Sequence, residues 1–447
     1  METIRIGAGA GMETDRLQPA LDLIVKGNID YIVFECLAER TISLAQLRKL
    51  EDPSKGYNTM LEYRLEKALP LAYQHNVKVI TNMGAANVRA AAELAVKIAA
   101  KHQLPLKVAA VYGDDIFSRI DKYYECPLME KPNLKLGDLK DYIVSANAYI
   151  GYEGIYEALE NGADVVITGR STDTALFMAP AIYRFGWRNS LDKTATCAIA
   201  GHLIECSAQV SGGYFAVPGK KEVPDLWNLG FPIAEINERG EVFITKLEEA
   251  GGCVTTATCK EQLLYEIHDP ANYLTPDVIA DCSKISFEEI AKDRVKVTGV
   301  TGKPKPDTLK VSVGYLDSYI ATIEVSYGGW KCVERAELLV ASVKKRVEAM
   351  YGESVQELRS DIMGINSLLP GRRPPCEQAL SEVRARVSIR VKNKRIAEEI
   401  IYECGSNVLN GPGGGGGRVE SVKRVVSVLS ILIPGEDVNI NVEYMEV

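Results

Sequence analysis

The sequence contains few of the residues that build metal centres and disulfide frameworks. Only four of its 447 residues are histidine, and its ten cysteines are scattered without a CxxC pair. This cysteine usage does not fit a disulfide scaffold and predicts a reduced cytoplasmic protein with buried thiols. No GK[ST] segment and no HExxH segment is present, which excludes a P-loop and a zinc site of that type.

The chain also lacks a long apolar run and an excess of basic charge. The most apolar stretch, residues 425–433, is interrupted by serine and is shorter than the ~18–20 residues that cross a bilayer. The first residues lack a basic segment followed by an apolar one, so we expect no secretory signal. The 52 basic and 60 acidic residues give a net charge of −8 without a basic stripe. We therefore expect neither a membrane nor a nucleic acid as partner.

What the sequence does contain is a repeated strand-and-helix pattern in its first half. Short β-branched runs end in glycine or polar residues, and segments of helical periodicity separate them. The predicted strands cover residues 4–6, 31–34, 77–81, 106–112 and 165–168, and the predicted helices cover residues 15–26, 57–75, 89–102 and 142–161. Such alternation predicts an α/β fold with a parallel sheet made of βαβ units.

The second half has a different character. Residues 173–286 are interpreted as an elaboration of the first domain, with a helix of small residues at 194–210, a hairpin at 232–246 and a short helix at 260–268. Later strands are predicted at 294–298, 309–313, 320–327, 385–391 and 419–433, with helices at 330–351 and 394–403 and a proline-rich loop at 370–376. We expect a parallel-sheet α/β domain over residues 1–290 with a ligand cleft, followed by a smaller α+β domain over residues 291–447.

Polar residues follow several predicted strands. They are Glu35, Asn82, Asp114, Asp115 and Arg170. Because ligands of open parallel sheets bind beyond the carboxyl ends of the strands, these residues are predicted to converge on one cleft. The alternative is that they are polar only because loops are polar.

Two glycine-rich segments invite a ligand interpretation. Residues 7–11 are read as a turn between the first strand and helix, in which Gly9 and Gly11 let an anionic group approach backbone amides. Met12 stands where a dinucleotide fingerprint needs glycine or alanine, which favours a ligand-facing turn over NAD binding. In the second segment, residues 413–417, Gly413 and Gly414 either cradle an anion or cover a site, and a flexible linker is the alternative.

Acid, base and anion-binding groups stand close together in two places. Glu35, Glu39 and Arg40 could set a base beside an anion clamp, or Glu39 and Arg40 could form only a local ion pair. Arg170 could bind a carboxylate or phosphate through two hydrogen bonds, with an ion pair to Asp173 as the alternative.

His202, Glu205 and Cys206 share one face of the predicted small-residue helix, because they are spaced i, i+3 and i+4. This arrangement suggests a proton relay, or a metal site completed by ligands from elsewhere in the chain. A buried, hydrogen-bonded core histidine is the alternative.

Several motifs resemble the acyclic terpene utilisation family of AtuA-like proteins. They are IGAGAG at 6–11, FECLAER at 34–40, ANAYIG at 146–151, GADVVITGR at 162–170, GHLIEC at 201–206, GGYF at 212–215 and EQLLYE at 261–266. Asp269-Pro270, Tyr273 and residues 276–278 extend the likeness, which runs from residue 1 to about residue 370. Residues 81–87 depart from the more Gly- and Pro-rich loop of the family, so the substrate range could differ.

The resemblance implies a role in catabolism of acyclic terpenes and other branched acids, where acyl-CoA chemistry is common. It also implies a small ferredoxin-like partner subunit, and unpaired strand edges in the second domain suggest a homo- or hetero-oligomer. It assigns no reaction and no cofactor, so a CoA-linked substrate and a divalent metal both stay open.

Together these features predict a lyase or hydratase that removes a proton beside a carbonyl of a small carboxylic acid or acyl-CoA. The expected acid and base residues are Glu35, His202, Glu205 and Asp115. The expected binding residues are Arg170 as anion clamp, with Asn82, Asn87 and Asn147 as hydrogen-bond donors. A non-catalytic acyl-binding subunit is the alternative, and an NAD-dependent dehydrogenase is a third interpretation that depends only on the first glycine segment.

Overall fold

A computed structural model describes residues 2–371 and 380–447. The chain forms two compact units, Met1–Gly314 with Val428–Val447, and Tyr315–Ser427. The predicted ranges were 1–290 and 291–447. In the structure, residues 291–314 and 428–447 belong to the first unit instead. From residue 372 onward, the predicted proline-rich loop lies outside the described residues.

The strands and helices are listed here in chain order. The strands are β1 (Thr3–Ala10), β2 (Tyr31–Phe34), β3 (Lys78–Thr81), β4 (Lys107–Tyr112), β5 (Ile143–Ala148), β6 (Val165–Thr168), β7 (Pro232–Asn237), β8 (Val242–Lys246), β9 (Tyr273–Leu274), β10 (Ile279–Asp281), β11 (Ser286–Ala291), β12 (Arg294–Thr298), β13 (Thr301–Lys303), β14 (Thr308–Gly328), β15 (Val355–Met363), β16 (Glu382–Val391), β17 (Gly415–Pro434) and β18 (Asn441–Glu446). The helices are α1 (Gln18–Lys26), α2 (Glu39–Glu51), α3 (Leu61–Gln74), α4 (Val88–Lys101), α5 (Glu153–Glu160), α6 (Asp173–Phe185), α7 (Leu191–Glu205), α8 (Thr256–Leu264), α9 (Cys332–Tyr351), α10 (Lys394–Gly405) and α11 (Asn407–Asn410).

The first unit is built on a ten-stranded sheet of order β11-β12-β8-β7-β1-β2-β3-β6-β4-β18. Its five central strands, β1, β2, β3, β6 and β4, are parallel to one another. Antiparallel strands extend it on both sides, with β7 on β1 and β18 on β4. The predicted parallel sheet is therefore confirmed for the central strands, whereas the antiparallel extensions make the whole a mixed α/β sheet.

Helices cover both faces of the central strands, which explains why these strands are apolar runs without alternation. All four residues of β2 and all four of β6 are buried. Ile32 and Phe34 pack with apolar residues of α1, α3 and α4, whereas Tyr31 and Val33 pack with those of α5, α6 and α7. Burial on both faces leaves the ends of the strands as the place where polar groups can gather.

The prediction of a glycine-rich turn at residues 7–11 is wrong for residues 7–10, because β1 continues to Ala10. Only Gly11 lies beyond the strand. The glycines instead permit close packing inside the sheet. A Cβ atom on Gly9 would lie 2.7 Å from the Phe34 ring, and one on Gly7 would lie 3.0 Å from Ile29. The dehydrogenase interpretation depended on a turn that the structure does not contain.

This packing predicts that Gly9→Ala destabilises the first unit by about 1–3 kcal/mol, the usual cost of forcing an extra carbon into a close-packed core. Urea unfolding followed by circular dichroism measures the change. Gly352→Ala is the matched control, because a Cβ atom there meets nothing within 4 Å. Equal stability of the two variants would contradict the packing explanation.

Two further predicted elements are wrong. Residues 142–161 do not form one helix, because the first part is strand β5, buried at all six positions, and only the second part is helix α5. The two strands predicted at 309–313 and 320–327 are one strand, β14. Gly314 marks a close approach rather than a turn, since a Cβ atom there would lie 2.2 Å from the Ser43 hydroxyl.

The second unit has the element order βαββαβ, formed by β14, α9, β15, β16, α10 and β17, with strand order β15-β16-β14-β17. This is the arrangement of ferredoxin-like folds. Every second residue of β16 from Val383 to Val391 is buried, and these side chains pack with apolar residues of α9 and α10. The sequence resemblance implied a ferredoxin-like partner as a separate chain, and this chain contains such a unit itself.

Candidate functional site

The carboxyl ends of four neighbouring strands carry a group of polar side chains. Glu35 follows β2, Asn82 follows β3, Arg170 follows β6 by two residues and Asp114 follows β4 by two. In the sheet these strands are adjacent in the order β2-β3-β6-β4. With Asn147 of β5, these residues form what we call the strand-end cluster, and all five are buried.

Glu35 is the most perturbed acid of the strand-end cluster. Its Oε1 accepts hydrogen bonds from the Leu37 amide at 2.9 Å and from Asn82 Nδ2 at 2.8 Å. Burial and, to a smaller extent, the charge of Asp173 raise the pKa of Glu35 to about 8, although both hydrogen bonds oppose the shift. A carboxyl group with this pKa can exchange a proton near neutral pH.

Arg170 ties the loop after β6 to the loop after β2. Its Nη1 donates to the carbonyls of Leu37 at 2.7 Å and Ser171 at 3.0 Å, and to the Asp173 carboxylate at 2.7 Å. The guanidinium also lies 4.2 Å from the centre of the Tyr149 ring. The ion pair with Asp173, one of the two alternatives for Arg170, is thus present, while the buried Nε has no partner among the described residues.

Burial alone would lower the pKa of Arg170, but the charges of Asp173, Tyr149 and Glu39 raise it well above its usual value.

The local ion pair of Glu39 with Arg40, which was the alternative for these two residues, does not form. Glu39 instead accepts a hydrogen bond from Tyr149 Oη and lies 3.5 Å from Lys310 Nζ. Burial opposes ionisation of Glu39, yet Arg170 and Tyr149 overcome it and lower the pKa of Glu39 to about 2.

Asp114 lies on the other side of Arg170. Its Oδ2 accepts from the Arg170 amide at 2.8 Å and from Asn147 Nδ2 at 2.9 Å. Burial raises the pKa of Asp114 to about 6, against the effect of these two hydrogen bonds. Asp115 is not part of this arrangement, because it is exposed and its Oδ1 accepts from the Phe117 amide.

His202 and Glu205 form a buried pair on α7. His202 Nδ1 and Glu205 Oε1 are 2.9 Å apart, and His202 Nε2 faces the carbonyls of Gln262 and Leu263 of α8 at 3.1 and 3.3 Å. Since carbonyls only accept, Nε2 carries a hydrogen, and the proton at Nδ1 is shared with Glu205. Glu205 Oε2 is buried without a hydrogen-bond partner among the described residues.

The two members of this pair shift each other's ionisation. Burial alone would lower the pKa of His202, but the hydrogen bond and charge of Glu205 raise it. Burial raises the pKa of Glu205, although His202 opposes the shift. The pair can therefore hold one proton at a position away from solvent, which fits both a relay and a hydrogen-bonded core histidine.

Replacing Glu205 by glutamine is expected to lower the pKa of His202, because it removes the main charge that opposes the effect of burial. Titration of the four histidines by NMR measures the shift. Glu266→Gln is the control, since Glu266 is exposed and is a smaller contributor to the raised pKa of His202. A His202 titration that is the same in Glu205→Gln and in the unsubstituted protein would contradict the shared proton.

Other predicted binding residues lie outside the strand-end cluster. Asn87 uses both hydrogens of its amide on the carbonyls of Pro53 and Lys55, at 2.9 and 2.7 Å. Arg40 is exposed in the first turn of α2. Neither Asn87 nor Arg40 forms a hydrogen bond with Glu35 or Arg170 in the described part of the chain.

The predicted glycines also take separate positions. Gly9 is buried inside β1, and Gly11 packs against the end of α7, where a Cβ atom would lie 2.6 Å from the backbone of Cys206. Gly413 and Gly414 belong to the second unit, where the Gly413 carbonyl accepts from Arg335 Nη1 at 3.0 Å. Only Gly11 of the first segment lies beyond the end of β1, and its amide donates to the Asp15 carboxylate at 3.0 Å.

Three residues near these groups were given no functional role from the sequence. Tyr149 lies within a quoted motif without an assigned role, and Tyr273 packs beside the His202 ring, with 5.4 Å between ring centres. Arg64 is buried in the first turn of α3, on the face that also buries Leu61 and Ala68. A charged residue on an apolar helix face was the signal available for Arg64.

Cofactor and membrane features were searched within residues 2–371 and 380–447. No group of three or more His, Cys, Asp and Glu side chains there is placed to hold a metal ion. No described helix combines the length and apolar character needed to cross a membrane. Each described cysteine is free, and burial raises the pKa of several thiols, among them Cys36 and Cys206.

Comparison with models of protein families gives a match for this chain. No curated protein matches the sequence. The model of the acyclic terpene utilisation family protein AtuA matches residues 4–444, which is nearly the whole chain and includes both units. The chain therefore belongs to the acyclic terpene utilisation (AtuA) family, as its motifs indicated.

Proposed function

We propose that this chain is a catabolic enzyme that removes a proton beside the carbonyl of a small carboxylic acid or acyl-CoA, as lyases and hydratases do. The observation that supports this most is Glu35, a buried carboxyl at the end of a parallel strand with a pKa raised to about 8. Perturbed acids at such positions are typical of catalytic sites. The family's connection with acyclic terpene utilisation is consistent with substrates of this class.

In this proposal Glu35 is the base. Its Oε1 accepts two hydrogen bonds, which hold the carboxyl in one orientation, and ionisation above about pH 8 prepares it to accept the carbon-bound proton. The negative charge that develops on the carbonyl oxygen needs donors already in place. Arg170 Nε has no hydrogen-bond partner among the described residues, and the Asn82 amide keeps one hydrogen beyond the one donated to Glu35.

His202 and Glu205 are proposed as the second acid and base pair, because a hydratase or lyase must also move a proton to or from oxygen. Asn87 is not included, since both of its amide hydrogens already have acceptors. Asn147 donates one hydrogen to Asp114 and supports the loop around Arg170.

Hydrogen exchange tests the proposal without knowledge of the complete reaction. Butanoyl-CoA and butanoate are incubated with the protein in D₂O, and deuterium at the carbon beside the carbonyl is measured by NMR. We expect exchange with the unsubstituted protein and a rate at least ~100-fold lower with Glu35→Gln, the usual range for loss of a general base. Glu62→Gln, an exposed glutamate on α3, is the control.

A second candidate is an acyl-binding subunit without catalysis. It is favoured by the internal use of Arg170, whose Nη1 already contacts two carbonyls and Asp173. Under this alternative, the chain binds butanoyl-CoA in calorimetry but incorporates no deuterium. Exchange that depends on Glu35 would reject it.

A further inference from the structure

Arg64 is a fully buried cation whose hydrogen-bonding capacity is only partly used. It is 1% exposed. Its Nη2 donates to the carbonyls of Glu13 at 3.2 Å and Asp15 at 2.8 Å. Its Nε and Nη1 are buried and have no hydrogen-bond partner in the described part of the chain. Since a guanidinium carries five donors, most of them are unpaired.

Arg64 also forms no ion pair with the residues that the structure describes. Its two hydrogen-bond acceptors are backbone carbonyls, and no carboxylate of residues 2–371 or 380–447 forms an ion pair with it. The neighbouring Asp15 carboxylate accepts from the Gly11 amide at 3.0 Å and from Ser207 Oγ at 2.6 Å rather than from Arg64. A buried charge without a partner is strongly unfavourable and is retained where something else requires it.

The surroundings of Arg64 connect it to the end of β2. The guanidinium lies 5.7 Å from the centre of the Phe34 ring, on the last residue of that strand. Phe34 directly precedes Glu35 in the chain, so the guanidinium packs beside the strand end that carries this acid. Within the described residues Arg64 therefore forms no ion pair, whereas Arg170 is paired with Asp173.

We propose that Arg64 binds an oxyanion, a carboxylate or a phosphate, of the ligand of this protein. Guanidinium groups match both anions in geometry and charge, and an anion at Nε and Nη1 would satisfy the unpaired donors and the unbalanced charge together. The proposal that Arg64 binds an anion depends only on its unpaired, buried nitrogens. The identification of this anion with the acid group of the substrate rests on the proposed function.

Calorimetric titration with inorganic phosphate and, separately, with butanoate tests the proposal at constant ionic strength set by sodium chloride. We expect saturable binding of at least one of these anions, and the preferred one tells phosphate from carboxylate recognition. Arg64→Met should weaken that binding at least about tenfold, because it removes the charge and all donors at similar volume. Arg239→Met is the matched control, since Arg239 is exposed.

Arg64→Lys keeps the positive charge but loses the planar guanidinium with its paired donors. This variant replaces Arg64→Met in the titration if Arg64→Met does not fold. It should bind the preferred anion more weakly than the unsubstituted protein. Absence of saturable binding up to about 50 mM of either anion, or equal affinity in the Arg64 variants, would overturn the proposal. Anion binding that persists while deuterium exchange is absent would reject the proposed function alone.

Discussion

Glu35→Gln is expected to raise thermal stability at pH 8–9 while it removes the exchange activity. Glutamine keeps the acceptor oxygen that the Leu37 amide and Asn82 contact, so the local hydrogen bonds persist. What it removes is a charge that is costly to bury. The variant therefore separates the chemical role of Glu35 from its role in folding.

The sign of the effect follows from the raised pKa. Below pH 4.5 the carboxyl is protonated in both the folded and the unfolded chain, so it imposes no penalty. As the pH rises from 4.5 to about 8, the unfolded chain releases the proton and the folded chain retains it, and the folded state loses stability. The full shift corresponds to about 5 kcal/mol at most, reached above pH 8.

Melting temperatures of the unsubstituted protein and Glu35→Gln from pH 5 to pH 9 measure this effect. Their difference should be small near pH 5 and should grow in favour of the variant toward pH 9. Glu62→Gln, on the exposed face of α3, should show no such trend. A difference that does not change with pH would mean that Glu35 titrates normally, and its assignment as the base would lose its support.

Arg170→Ala is expected to destabilise the first unit by about 2–6 kcal/mol, because two buried carbonyls lose their donor and each such loss costs about 1–3 kcal/mol. The substitution leaves the Leu37 and Ser171 carbonyls without their donor, and it leaves Asp173 and Glu39 without the main charge that opposes them.

Urea unfolding of Arg170→Ala and of Arg239→Ala provides the comparison, since Arg239 is exposed. The exposed variant should stay within about 0.5 kcal/mol of the unsubstituted protein. A folded Arg170→Ala of nearly unchanged stability would show that the loop contacts are not structural. If it also exchanged deuterium at the normal rate, Arg170 would have no place in the proposed mechanism.

Much of the central sheet follows from local sequence. Strands β2 and β6 occupy the predicted residues, and so does β12. Apolar β-branched runs followed by helices define both the strands and their parallel direction. The gathering of Glu35, Asn82, Asp114 and Arg170 could also be expected, because residues at the carboxyl ends of adjacent parallel strands lie at one edge.

The errors arise where packing overrides local pattern. Gly7 to Ala10 read as a turn, but they extend β1 because Phe34 occupies the space that a side chain at Gly9 would need. Residues 143–148 have no clear period, and complete burial makes them strand β5. Two strands were predicted at 309–313 and 320–327, but β14 runs through both, and the Ser43 hydroxyl lies where a side chain at Gly314 would be.

The sequence by itself determined the strand-and-helix alternation, the family and the acids at the strand ends, because each depends on residues close together in the chain. Only the tertiary structure decided which of those groups are paired. His202 meets carbonyls sixty positions away, Arg170 reaches Leu37, and Arg64 is enclosed with two nitrogens that no described residue accepts from. Charge and hydrogen-bond balance in a buried site depends on distant segments that pack together, and no local pattern records it.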